Sequence, residues 1–224
     1  MMMNLFSMFD SSTSMNYSLN WLMPMFLLLF LPIFFWVIPS RSLIILYKMI
    51  YLIKMEINII LSKKINMLNT LMPTSMFMMI LINNLMGMPP YTYTITSQMP
   101  FTMAMSFTFW MTTMIYSMMN FMNSMLAHLV PMGTPSMLMP FMVLIELTSA
   151  LIRPITLSIR LSANIIAGHL LMTLFSSIFS LLTFKTLPIL IFAQTTLLTL
   201  ELAVAMIQAY VFMILITLYI AEIY

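Results

Sequence analysis

The sequence predicts an all-α integral membrane protein: about five to six apolar helices, ending in a hairpin of two long, strongly tilted membrane helices. Three observations predict it. Hydrophobic residues fill 62% of the 224 positions and charged residues only 6%. Soluble domains carry about 25% charged residues, so this chain could not cover a water-facing surface. Several apolar runs reach the roughly 20 residues that cross a bilayer, and the ionisable groups inside the later runs are few and helically spaced.

The chain divides as one membrane domain, 1–224. Residues 1–20 are polar enough for an interfacial start and carry neither a basic secretory n-region nor an Arg-rich import pattern. Residues 21–38 form the first span, with Trp21 and Trp36 near its ends, where an aromatic belt belongs. Residues 39–70 hold Arg41, Lys48, Lys54, Lys63 and Lys64, five of the eight basic residues. The apolar residues between them recur at helical spacing, which reads as an amphipathic helix along the interface rather than a second span. The positive-inside rule puts this segment on the cytoplasm-equivalent side and the N-terminus opposite. Residues 71–88 and 99–122 span again. The turn-rich PPYTYTITSQ at 89–98 lies between them on the outer side. Pro131, Gly133 and Pro135 mark a second turn region.

The runs 138–182 and 188–221 are too long for upright spans. Forty-five helical residues would reach roughly 68 Å, against a hydrocarbon core of about 30 Å. The first run must break, tilt or lie partly along the membrane, with Pro154 as the expected break, and SLLTFKTLP at 180–188 connects it to the second.

Composition excludes several chemistries. There are no cysteines, hence no disulfide, thiolate nucleophile or Cys-based metal site. The three glycines, at 87, 133 and 168, make no phosphate-binding loop or dinucleotide fingerprint. Nucleotide chemistry would therefore belong to another chain. His128 and His169 are 41 residues apart, a poor metal set. The 32 methionines read as the coding bias of an AT-rich genome with an extra Met codon, as mitochondrial genomes have. A copper-carrying Met cluster would concentrate ligand pairs in one soluble stretch, and these residues are scattered.

The polar residues of the last two runs are ordered. Glu146, Arg153 and Arg160 recur by seven and Asn164 follows by four, so all four share one stripe of a continuous helix. His169 is about half a turn away in angle and roughly 13 Å further along. Gln194, Glu201 and Gln208 again recur by seven. A charge at the bilayer centre costs about 2.5–3.5 kcal/mol on insertion scales, so Arg160 needs a partner or a water-filled cavity. Gln194 suits interhelical packing and Arg153 suits snorkelling to the interface. Arg160, His169 and Glu201 together point to a proton pathway. A secondary transporter would show an internal repeat, and none is visible. A purely structural subunit would use Arg160 only to lock the hairpin.

IRPITLSIRLSANIIAGHLL, with the later ELAVAMIQAYVF, resembles subunit a of the F-type ATP synthases. MNLFSMFD, LMGMPPYTYT and LAHLVPMGTPSMLMPFMVLIE extend the resemblance, in order, over nearly the whole chain. One departure is Ser12 in SSTS, where the family often has proline, and it touches no functional position. The family implies a fixed subunit beside a rotating c-ring, with two offset half-channels separated by an arginine. Carried over, Arg160 is that arginine. His169 and Glu201 line the channel on the intermembrane side, Asn164 and Gln208 are polar neighbours, and Glu146 is the matrix-side carboxylate. The resemblance further implies the mitochondrial inner membrane with the N-terminus toward the intermembrane space, and an invertebrate source. It implies other membrane and peripheral-stalk subunits as partners, with no cofactor, metal or nucleic acid.

Overall fold

A computed structural model describes residues 5–13, 17–23, 38–61, 67–89, 92–130, 133, 135, 137–179 and 187–223. Most of the predicted first span, 21–38, lies outside the described residues. So do Lys63, Lys64 and nearly all of the predicted connection at 180–188. Six α-helices follow in the described chain: α1 Arg41–Ile60, α2 Met67–Gly87, α3 Met99–Asn120, α4 Met122–His128, α5 Met139–Phe179 and α6 Leu187–Ile223. Short 3-10 turns stand at Leu5–Phe9, Leu19–Leu22 and Ile95–Ser97. The chain is an all-α membrane protein, and α5 and α6 are each long and apolar enough to cross a bilayer.

The helix α5 runs unbroken through Pro154, where the sequence predicts a break. Proline removes one helical N–H and crowds the preceding turn, but membrane helices tolerate it where neighbours pack around it. Pro154 is buried in a small crevice with Phe109 and Trp110 of α3 and Ile216 of α6. The 41 residues of α5 measure about 62 Å, twice the hydrocarbon thickness.

The core is small and lies where helices cross. Ile53 and Ile57 of α1 meet Met76, Phe77 and Ile80 of α2, and Ala209, Phe212, Met213 and Ile216 of α6, with Leu157 and Leu161 of α5. Much of the remaining apolar surface faces outward: Ile189 and Phe192 of α6 are each 72% exposed. In water such a surface would aggregate; in lipid it is solvated. On α1 the buried Leu43, Ile53 and Ile57 face inward while Arg41 and Lys48 are exposed. Ile45, Leu52 and Ile59 of the same helix are exposed as well.

Hydroxyl side chains in these helices are mostly self-satisfied. Thr148, Ser158, Thr173, Thr195, Thr199 and Thr217 each donate to the carbonyl three residues back, at 2.7–2.9 Å. Such bonds let Ser and Thr sit in apolar helices at little cost. Asn, Gln, His and Glu have more polar valences than one carbonyl can satisfy, and they gather elsewhere.

Candidate functional site

The helices α5 and α6 pack antiparallel. Arg153 lies over the ring of Tyr219, 5.4 Å from its centroid, and His169 meets Glu201. These two contacts are about 24 Å apart along α5. Between the helices at the His169 end is a cavity of about 210 Å³, room for several waters. Asn164, Gly168 and His169 of α5 and Glu201 and Gln208 of α6 line it, and the end of α2 and the 92–98 segment close it. Four of the residues singled out in the sequence, Asn164, His169, Glu201 and Gln208, thus share one enclosure.

His169 Nε2 is 3.8 Å from Glu201 Oε1, and the two side chains are 14% and 12% exposed. That separation suits an ion pair when the imidazole is protonated. It is too long for a direct hydrogen bond, so one bridging water or a small rotation would complete a proton path. Glu201 Oε1 is buried with no hydrogen-bond partner among the described protein groups. A buried carboxylate in that state is poised to accept a donor.

Arg160 faces elsewhere. It is exposed, and its helical neighbours on that face are Thr156, Ala163 and Ala167, all exposed, with half-buried Asn164. No ion pair joins it to another described residue. A guanidinium keeps its proton in proteins, so this is a permanent cation on an outward face with no described anion. Small residues beside it leave room for another surface to approach. Half a turn of α5 separates it from His169, while Asn164 and Ala167, which also line the cavity, lie within about 40° of its own direction.

Glu146 is exposed and lies 4.0 Å from Arg153 Nη2, at the other end of the hairpin from the cavity. An exposed pair at that distance contributes little to stability. Gln194 is half-buried and outside the cavity lining. No group of three or more metal-binding side chains occurs among the described residues.

Two lining residues were not singled out in the sequence. Asn84, 3% exposed, donates from Nδ2 to the Ala205 carbonyl at 3.3 Å; its Oδ1 has no hydrogen-bond partner. Thr96, 1% exposed, likewise has an unpartnered Oγ1. The available signal was the Asn83–Asn84 pair inside an otherwise apolar span. The 92–98 segment is also tied to the N-terminal turn, since Gln98 Nε2 donates to the Phe9 carbonyl at 2.6 Å. The N-terminal turn and the 92–98 segment therefore sit at one end of the bundle, the cavity's end.

The sequence model of the ATP synthase A chain family matches residues 17–221. Over their full length and that of this chain, three insect proteins are similar to it, each called ATP synthase subunit a. The identity is 49% for the Locusta migratoria protein, and 45% for those of Drosophila melanogaster and Anopheles quadrimaculatus.

Proposed function

This chain belongs to the ATP synthase A chain family, and from that premise we propose that it is the fixed, proton-translocating subunit in the membrane sector of a rotary ATP synthase. Its place is the mitochondrial inner membrane, with the N-terminal turn and the 92–98 segment toward the intermembrane space and the basic segment at 39–64 toward the matrix. Its partners are a ring of small subunits, each carrying a carboxylate, and the other membrane and stalk subunits that hold it still.

One observation carries the reading. A single helix, α5, bears an exposed permanent cation, Arg160, and, half a turn away, His169, which meets Glu201 of α6 at a cavity between the two helices. A proton enters the cavity and passes between Glu201 and His169, whose ring nitrogens can both accept and donate a proton. It then neutralises a ring carboxylate. The neutral site can move out into lipid, because the charge that would cost several kcal/mol there is gone. After a turn of the ring the proton leaves toward the matrix by way of Glu146. The deprotonated carboxylate is then drawn to Arg160, which cannot itself relay a proton and so keeps the two paths separate. Asn164 and Gln208 hold water beside this route. Each proton crossing 100 mV releases about 2.3 kcal/mol, so several must cross per ATP. Nucleotide chemistry takes place on another subunit.

The test is purification in mild detergent followed by reconstitution. A ring of small hairpin subunits and a large ATPase should accompany the chain, and vesicles holding the assembly should make ATP from an imposed proton gradient. Isolation of the chain alone, or with a solute-transport activity independent of ATP, would overturn the reading.

A further inference from the structure

Gly168 is unfavourable in the middle of a helix, and its backbone is ordinary: the only positive-φ glycine among the described residues is Gly133. Conformation therefore does not explain it. Space does. A Cβ built on Gly168 would lie 2.6 Å from Glu201 Oε1, 2.8 Å from its Cδ and 3.0 Å from its Cγ. Carbon atoms do not sit that close to non-bonded neighbours. The volume that any other side chain would claim is filled by the outer half of one glutamate. Small residues often let helix backbones approach, but here the three nearest atoms all belong to the Glu201 side chain.

We propose that Gly168 is a positioning residue: its missing side chain seats the Glu201 carboxylate against α5, beside His169. This rests on the reading of Glu201 as a proton carrier. The crowded atoms are the far end of a flexible side chain, so a methyl at 168 leaves the helix packing intact. The carboxylate must swing away, and the 3.8 Å approach of Oε1 to His169 Nε2 is lost. A misplacement of about 1 Å can slow a positioned reaction by up to roughly a hundredfold.

The experiment is a double-mutant cycle in inner-membrane vesicles carrying the whole complex, measuring gradient-driven ATP synthesis and the amount of assembled complex. Gly168→Ala should slow synthesis about tenfold or more at normal assembly. Glu201→Asp shortens the arm by one methylene and vacates the space the new methyl needs. In that background Gly168→Ala should cost little, a non-additivity expected of residues in contact. Should Gly168→Ala instead block assembly, recovery in the double variant would support the same contact. Equal cost in both backgrounds, full activity of Gly168→Ala, or loss of assembly in both overturns the proposal. Glu201→Gln tests the underlying reading separately. If that variant synthesises ATP normally, Glu201 is no carrier, whatever Gly168 does.

Discussion

The two sides of α5 carry positive or titratable groups in opposite settings. On the outward side Arg160 is exposed beside Thr156, Ala163 and Ala167 with no described counterion. On the inward side His169 is mostly buried, faces Glu201 at 3.8 Å and borders a cavity. The difference teaches where each group must find its partner. A guanidinium is charged permanently, so on a membrane-facing surface it calls for an anion from another molecule or for water. An imidazole can lose its charge, so its partner can be built into the same chain. The outward side is suited to attracting a charge and the inward side to passing a proton on.

The sharpest way to break this comparison is to weaken the outward cation. Arg160→Lys keeps a positive charge but exchanges a rigid fork for a flexible amine that can neutralise in an apolar site. It is expected to abolish coupled synthesis, and Arg160→Ala should additionally let protons leak through the membrane sector. ATP synthesis, together with proton uptake into vesicles with and without the catalytic head, measures both effects. Full coupled activity in the lysine variant would reduce Arg160 to a simple charge and favour a structural role.

Next in size is the inward pair. His169→Ala or Glu201→Gln should slow gradient-driven synthesis by about a hundredfold, the lower range for loss of a positioned acid or base, while the complex still assembles. The carboxamide is nearly isosteric with the carboxylate, so packing changes should not confuse the result. Synthesis at the normal rate in both variants would remove the relay from the inward side.

The hairpin and its polar stripes could be read from the sequence because spacing by seven survives in any helix. Glu201 and Gln208 were identifiable for that reason, Asn164 by its helical spacing of four from Arg160, and His169 as an isolated titratable group inside an apolar run. The cavity's other walls were not. Asn84 acts across 121 positions of sequence on the Ala205 carbonyl, and no local pattern announces such a bond. Gly168 was visible as a glycine, but its reason lies in the Glu201 side chain on another helix. Pro154 misled because proline's local effect is to break helices, whereas packing by α3 and α6 carries α5 straight through it.

A smaller effect is expected at the far end of the hairpin. Glu146 is half exposed and only 4.0 Å from Arg153, so water can replace much of what its carboxylate offers. Glu146→Gln should slow synthesis severalfold, less than either member of the inward pair, and initial rates at fixed gradient would rank the three. A loss as deep as that of Glu201→Gln would make the two ends of the hairpin equally demanding and erase the contrast between exposed and enclosed carboxylates.

The smallest effect should come from polar groups that face outward but cannot titrate. Thr199 is exposed on α6, and its hydroxyl donates to the Thr196 carbonyl at 2.8 Å. That carbonyl also serves the helix ladder, so removing the hydroxyl leaves no group stranded. Thr199→Val keeps the shape of the side chain, adds a methyl where a hydroxyl stood, and suits a lipid-facing or ring-facing surface. Surface changes of this kind fall within about 0.5 kcal/mol of neutral. Synthesis rates and complex yield should match the parent. If Thr199→Val instead lowered synthesis tenfold at full assembly, hydroxyls on the outward surface would be taking part in proton movement. The division between an attracting side and a conducting side would then fail at its simplest point.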